Sequence, residues 1–488
     1  MKFKHIFGNP PFQDNKSKNK TQHKLWIEFT QKAVNEWMEE SGTLTWITPM
    51  SWGSPSNKIL GLLKDNTVKE LHIDTRKHFP KVGSTFCHYH LTKGSSTSTT
   101  KIVDGNNSFN ISIDKSMLYV PNDVSTTSLS IHSKVMFNNH SAHTVNHDYV
   151  TCHNVIRHAY KLNMKKIIKK VNILEAAIDK EKDITECEKN KILSSIEKLI
   201  NSRKTIDISV SEVKTAKHIY PVLHTNNKTW YSSKKQDFFD KKKVMWSRSG
   251  YTKPFYNHGG LGCTDMGYYI LVDNDTQGEN LERFMNSKIM KYIFKTAKWS
   301  GFGNELVFSS IPKIDLLANK TDADYFSAFG IVQSEIQYIE SILNPPTKNK
   351  TKKGSPEFKS AERIKHLGEI YTPKVLVNEM LNMVSQSDWE DNTATFIDPA
   401  CGNGNFLLEM FIKRIESGVD MKSALATLYG IDIMQDNIDD CHNRIIDYLD
   451  ENGIQYNKSE IEKIMNRNIV VNNSLVKKMQ DIFLTKER

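Results

Sequence analysis

The 488-residue chain lacks any apolar run approaching the length of a bilayer crossing, and its N-terminus lacks the apolar core of a signal peptide. These absences exclude a membrane-embedded protein, and the expected location is cytoplasmic. Cysteine is scarce and scattered: Cys87, Cys152, Cys187, Cys263, Cys401 and Cys441 include no Cys-x-x-Cys pair and no Cys/His spacing of a zinc site. A disulfide framework and a zinc finger are thereby excluded, and the thiols are expected to be reduced packing residues. A Gly-Lys-Ser/Thr phosphate loop is missing, as is the third glycine of a dinucleotide fingerprint. Cationic charge, in contrast, is abundant. A formal net charge of +10 with 38% hydrophobic residues describes a soluble chain whose partner is polyanionic, with nucleic acid the first candidate.

The length allows two or three cores. At the N-terminus, Phe3, His5, Ile6 and Phe7 form a short apolar strand that Gly8 ends, and Asn9-Pro10-Pro11-Phe12 follows. Consecutive prolines stiffen the backbone at a strand's carboxyl end, where open α/β sheets bind ligands. The Asn9 carboxamide oxygen and the Pro10 carbonyl are acceptors, and Phe12 offers a stacking face, a set that fits an exocyclic amine on a flat base. By itself the tetrapeptide is equally a turn. Apolar spacing predicts a helix over 23–40, then a strand over Leu44–Thr48, a helix over Ile59–Leu63, and strands over Leu71–Asp74 and Ser84–Leu91. This alternation marks half of a doubly wound α/β fold, ending near residue 95.

Ser/Thr-rich and Asn-rich texture then runs to about residue 345, with a lysine-rich helical hairpin expected near 161–203 as a spacer. Between Lys241 and Ser310 basic, aromatic and amide residues interleave with a helix over Leu281–Thr296, a composition suited to phosphates and base edges. Arg248, Tyr251, Lys253, Lys298, Trp299 and Asn304 are the candidate DNA contacts there. A Lys/Pro/Gly-rich linker ends this region, and the α/β rhythm returns. Tyr371-Thr372-Pro373 precedes a helix; a strand over Thr395–Asp398 leads through Gly402 and Gly404 into a helix from Phe406; Leu428–Ile433 is a strand carrying Asp432; and Asn468–Leu475 is a strand with a polar end. A Gly-x-Gly turn between strand and helix lets backbone approach a ligand, and an acidic residue closing the next strand suits a ribose diol. That turn alone is a weak nucleotide signal.

Asp398-Pro399-Ala400-Cys401-Gly402-Asn403-Gly404-Asn405-Phe406 resembles motif I of the S-adenosylmethionine-dependent DNA adenine-N6 methyltransferases, and Asn9-Pro10-Pro11-Phe12 resembles their motif IV. Tyr371-Thr372-Pro373 is similar to motif X and Gly430-Ile431-Asp432 to motif II, while Pro221 through Lys295–Phe302 to Leu316 resembles the specificity region of restriction-modification members. The order is circularly permuted. The resemblance implies a Rossmann-like class I methyltransferase sheet assembled from N- and C-terminal halves: residues 1–95 as the catalytic half, 96–345 as a central mixed α+β target recognition domain, and 346–488 as the S-adenosylmethionine-binding half.

It further implies methyl transfer from S-adenosyl-L-methionine to N6 of a flipped-out adenine in double-stranded DNA, with Asn9 and Pro10 accepting from the amine and Phe12 stacking on the base. Cofactor contacts would come from Tyr371, Thr372, Pro373, Asp398, Pro399, Ala400, Gly402, Gly404, Asp432, Ile433 and Asn473, with no metal. Asn473 stands where the family usually has an acidic residue; its amide oxygen can still accept from the cofactor's adenine amine. Other readings are a restriction-modification enzyme with nuclease activity or a cognate endonuclease, methylation of RNA or a protein glutamine, and a catalytically dead DNA binder. Against the first, no nuclease-length segment precedes Asn9 and no Asp…Glu-x-Lys cluster is evident. Intact motifs I and IV weigh against the last.

Overall fold

The computed structural model describes residues 1–12, 25–55, 57–79, 85–94, 99–113, 117–137, 141–147, 210–224, 229–248, 250, 252–297, 305–345 and 371–483, with a few positions between 168 and 195. Tyr251, Lys298, Trp299, Asn304, Cys152, Cys187 and nearly all of the helical stretch expected over 161–203 lie outside them. The chain divides into two units: Met1–Ser133 with Thr296–Ser300 and Pro345–Arg488, and Lys134–Lys295 with Gly301–Asn344.

The first unit is built on a mixed sheet of nine described strands. The N-terminal part supplies β1 (Phe3–Gly8), β2 (Met38–Pro49), β3 (Thr67–His72), β4 (Phe86–Thr92), β5 (Thr100–Asp104) and β6 (Asn107–Ile111). The C-terminal part supplies β7 (Phe396–Asp398), β8 (Leu428–Asp432) and β9 (Ile469–Val471). Their order is β9-β8-β7-β1-β2-β4-β3-β5-β6. Both halves therefore complete one sheet, as the permuted motif order implies. The joint is the parallel pairing of β1 with β7, which sets His5 against Phe396 and Ile6 against Ile397. From this joint β2 continues to one side and β8 and β9 to the other, all parallel, which makes it the switch point where such sheets bind ligands.

β1 is buried at every position except Lys4, as befits a central strand covered on both faces. Phe7 packs near Trp389 and Phe406, and His5 stacks on Phe396 at 4.8 Å. One apolar core runs from Phe7, Ile47 and Phe86 into Leu376, Met380, Phe396, Leu407, Phe411 and Ile445. After α1 (Leu25–Lys32) and α2 (Lys58–Lys64) of the N-terminal part, three helices frame its C-terminal side: α3 (Lys374–Leu381), α4 (Asn405–Glu416) and α5 (Gln435–Glu451). α3 buries Leu376, Val377, Met380 and Leu381 but leaves Val375 exposed, and α4 begins at Asn405, one residue before the expected Phe406.

Several boundaries differ from the expectation: the strand expected over Leu71–Asp74 covers Thr67–His72, and the one expected over Asn468–Leu475 covers only Ile469–Val471. The first helix, α1 (Leu25–Lys32), passes through a wide turn at Ala33–Trp37 and gives way to β2 at Met38 rather than continuing to residue 40. Met38 pairs with Phe3, and the register then shifts before His5 pairs with Thr43, with Ser41 at φ +62 in the bulge. Strand pairing overrides the helical period there. In addition, β5 and β6 extend the same sheet past residue 95, so the first unit runs on to Ser133.

Among its described residues the second unit holds two four-stranded sheets. One orders Gly262–Cys263, Tyr220–Leu223, Thr229–Ser232 and Val210–Ser211; the other orders Phe255–Asn257, Lys243–Ser247, Gly267–Leu271 and Asn146–His147. The single helix expected over Leu281–Thr296 is two, Asp275–Met285 and Lys288–Thr296, broken where Asn286 donates through Nδ2 to the Pro254 carbonyl. Lys243 is fully buried and donates to the carbonyls of Phe238, Phe239 and Lys241; burial brings its pKa down to about 8. No described helix is long and apolar enough to cross a membrane.

Candidate functional site

The carboxyl ends of β1 and β7 meet without a side chain between them. A Cβ on Gly8 would lie 2.8 Å from the Trp46 ring and 2.9 Å from Asp398 Oδ1, so only glycine lets the start of Asn9-Pro10-Pro11 sit against that carboxylate. Asn9 is half-buried and Pro10 is buried, with Pro11 and Phe12 half-buried. Phe12 stacks on Phe86 with ring centroids 5.3 Å apart, so the aromatic expected to receive a base is itself braced from within the domain.

Asn9 is fixed by a chain of hydrogen bonds. Its Nδ2 donates to Thr372 Oγ1 at 3.2 Å; the Thr372 carbonyl accepts from Asn405 Nδ2 at 2.9 Å; Asn405 Oδ1 accepts from Arg444 at 2.6 Å. The same guanidinium nitrogen donates to the Asn403 carbonyl at 2.8 Å. Thr372 is buried, and Pro373 caps α3 by presenting its carbonyl to the Leu376 and Val377 N–H groups. The residues singled out on either side of the permutation are thus brought together.

The turn from β7 into α4 is shaped by left-handed glycines, Gly402 at φ +53 and Gly404 at φ +82. The Gly402 N–H donates to Asp432 Oδ2 at 3.0 Å, and Asp432 Oδ1 accepts from the Met434 N–H at 2.8 Å and from Asn437 Nδ2 at 3.2 Å. Tyr371 lies over this turn, its ring 3.3 Å from where a Gly402 Cβ would stand, and donates its hydroxyl to Asn437 Oδ1. Ser474 Oγ donates to the Pro399 carbonyl at 2.9 Å. Ile433 is exposed beside Asp432, and the Asn473 carboxamide oxygen accepts from the Leu475 N–H.

Asp398 is the electrostatic centre. It is buried, and removal from water pushes its pKa up to about 7; the Ala400 N–H, donating to Oδ1 at 3.0 Å, opposes this and the Asp432 charge adds to it. A cation brought beside it would restore the carboxylate. The neighbouring thiols are not nucleophiles: burial raises Cys401 far above the usual thiol range and Cys441 to about 12. The four described cysteines are buried thiols, as packing residues should be.

Asn405, Asn437 and Arg444 were not singled out in sequence. A signal exists for two of them: Asn437, Cys441 and Arg444 recur at helical spacing on one face of α5, and that face meets Asp432, Gly404 and Asn403 in turn. Among the candidate DNA contacts, Arg248 is half-buried and Lys253 exposed, both in the second unit.

Residues 358–474 match the family model for N-6 DNA Methylase. No curated protein matches the chain in sequence. Among solved structures it is similar to a nuclease-deletion mutant of the Type ISP restriction-modification enzyme LlaGI in complex with a DNA substrate mimic, at 10% identity and TM-score 0.33 over 64% of this chain and 39% of that one. It is similar also to the Type IIL restriction-modification enzyme MmeI in complex with DNA (8% identity, TM-score 0.29, 78% of this chain and 54% of that one) and to DrdV in a DNA complex (11%, 0.31, 74% and 47%). The chain thus spans 39% to 54% of the length of these three.

Proposed function

We propose that this chain, which carries the N-6 DNA methylase match over residues 358–474, is a site-specific DNA methyltransferase acting on N6 of an adenine flipped out of duplex DNA, with S-adenosylmethionine as donor. The observation that carries this reading is the joint between β1 and β7, which sets Asn9-Pro10-Pro11-Phe12 against Asp398 and the glycine turn. Either segment alone is ambiguous; their meeting at a sheet's switch point is the arrangement that transfer between two bound molecules needs.

The residues present fit the donor. Gly402 and Gly404 leave the turn bare of side chains, Asp398 is a buried carboxyl whose charge a neighbouring cation would restore, Asp432 is held in place to accept from a diol, and Ile433 offers an exposed apolar side chain beside it. When bound, S-adenosylmethionine supplies an electrophilic methyl group on a sulfonium. On the acceptor side, Asn9 has its nitrogen turned to Thr372, and its carboxamide oxygen would accept from the adenine amine together with the Pro10 carbonyl. These acceptors keep the nitrogen lone pair directed at the methyl carbon and stabilise positive charge as it develops on N6. No strong base is needed, because the amine gives up its proton readily once alkylated. Stacking on Phe12 would offset part of the cost, roughly a few kcal/mol, of extruding the base. Target recognition is assigned to the second unit, with Arg248, Lys253 and the residues around Tyr251 and Asn304, and to Lys298 and Trp299 in the segment Thr296–Ser300.

The test is transfer of labelled methyl from S-adenosylmethionine to plasmid DNA, with Asn9→Ala alongside and modified bases mapped by direct sequencing. N6-methyladenine in one recurring context, lost in the variant, is the expected result. Cofactor binding without incorporation into DNA would redirect the assignment to RNA or a protein amide.

A further inference from the structure

We propose that His72, His88 and Glu379 form a metal site of the zinc class that fastens α3, from the C-terminal part of the chain, to strands β3 and β4 of the N-terminal part. One ligand atom from each lies within 4.8 Å of the others. His72 Nδ1 is 3.0 Å and His88 Nε2 3.9 Å from Glu379 Oε1, distances that bracket the roughly 3.3 Å between ligands on a tetrahedral ion with bonds of about 2.0 Å.

The hydrogen bonds around the cluster give the outward nitrogen of each ring an acceptor. Thr75 donates its single hydroxyl proton to the His72 carbonyl at 3.1 Å, so its oxygen must accept from His88 Nδ1 at 2.9 Å. His88, neutral in this arrangement, has a bare lone pair at Nε2. On the other ring, His72 Nε2 lies 2.8 Å from the Glu70 carboxylate and donates to it, while Nδ1 faces Glu379 Oε1 at 3.0 Å. Each imidazole is therefore held from behind by an outer partner, as metal-ligating histidines are. Both inward nitrogens are buried without a hydrogen-bond partner and face the same carboxylate oxygen.

With both rings neutral, three acceptors face one another with no donor between them, which is unfavourable in a buried place. A single proton could join only one nitrogen to the carboxylate and would leave the other unpaired. A divalent cation satisfies all three at once. Two imidazoles with one carboxylate favour zinc over magnesium or calcium, which prefer all-oxygen shells. His78 Nε2, likewise buried and unpartnered at 3.4 Å from Glu379 Oε2, is the nearest side chain for a fourth position. Because α3 begins directly after Thr372, such a site would anchor the helix that presents Thr372 to Asn9. Its role is structural, and it is independent of the proposed reaction.

The experiment measures metal in the untagged full chain by plasma mass spectrometry and follows thermal unfolding with and without a chelator. The expected result is zinc at about one per chain, a melting temperature that falls on chelation and recovers on adding zinc chloride, and loss of both in Glu379→Gln, which keeps the side chain's size. His88→Ala should behave likewise; if it fails to fold, Glu379→Gln decides. Absence of zinc in the purified chain together with no thermal response to added zinc would overturn the proposal. So would zinc content and response unchanged in Glu379→Gln, since the ion would then sit elsewhere.

Discussion

Asn9 Nδ2 donates to Thr372 Oγ1 across 363 residues of sequence, and that bond is the last in a series running back through Asn405 to Arg444 on α5. The orientation of the Asn9 carboxamide is thus inherited from a rigid helix rather than from its own loop. Thr372→Val, which preserves volume at a buried position and removes only the hydroxyl, should lower the turnover of the proposed methyl transfer about tenfold, the effect of one orienting hydrogen bond of about 1 to 1.5 kcal/mol. KM for DNA should change little. Thr372→Ser should retain most of the activity. Equal rates for Val and Ser would show that the bond does not position Asn9.

Gly404 combines two demands that a second glycine separates. It sits at φ +82, and a Cβ there would come within 2.8 Å of Cys441 Cβ; Gly418 sits at φ +88 with open space around it. Alanine at Gly418 should cost about 1 to 2 kcal/mol from backbone conformation alone. At Gly404 alanine should cost a further 1 to 3 kcal/mol, roughly, because the rigid α5 backbone limits how far Cys441 can retreat. Urea unfolding of both variants gives the comparison, and equal losses would mean that the helix yields.

The segments that were legible in the sequence are those whose local chemistry agrees with their tertiary setting. Phe3–Phe7 followed by two prolines reads as a strand because no other element accepts that pattern, and Phe396–Asp398 into Asn405 reads as strand, turn and helix because both glycines fall where left-handed backbone is required. The start of β2 was hidden because Met38 continues a helical stripe; its pairing with Phe3 decides the matter. β5 and β6 were hidden by their polar texture, since an edge hairpin has only one face to bury. Thr372 as a partner of Asn9, Phe86 as a brace for Phe12, and the convergence of His72, His88 and Glu379 depend on elements from opposite ends of the chain, and local spacing says nothing of them.

Asp398 makes stability depend on pH, and with it the affinity for the proposed cofactor. Its carboxyl titrates near pH 7 in the folded chain against an ordinary 3.8, so the folded state holds a proton that the unfolded chain has released. Its favourable contribution is complete below about pH 3.8 and is lost as the pH rises through about 7. Asp398→Asn, neutral throughout, should therefore lose less stability than the parent between about pH 5 and about pH 8. Binding of a cationic cofactor beside Asp398 should expel the proton, so affinity in the parent should improve over the same range while the variant stays flat. Calorimetry in two buffers of different ionisation enthalpy would count the proton; none released would remove Asp398 from the cofactor site.

Acid should unfold the first unit through its buried neutral imidazoles. His132 is fully buried between the Tyr119 hydroxyl, 2.7 Å from Nδ1, and Thr296 Oγ1, 2.9 Å from Nε2, and burial pushes its pKa down to about 3; burial likewise brings His5 and His90 to about 4. The unfolded chain takes up protons at these rings near pH 6.5 while the folded chain does not. Their contribution is therefore present above about 6.5 and is lost as the pH falls toward the folded values. For His132 alone the loss between about pH 7 and about pH 5 amounts to about 2 kcal/mol. His132→Gln should be less stable than the parent at neutral pH, having given up a fitted ring, yet its stability should decline less by that amount over the same interval. Urea midpoints of the two proteins at both pH values give the difference of differences, and parallel declines would mean that His132 becomes protonated without leaving the fold.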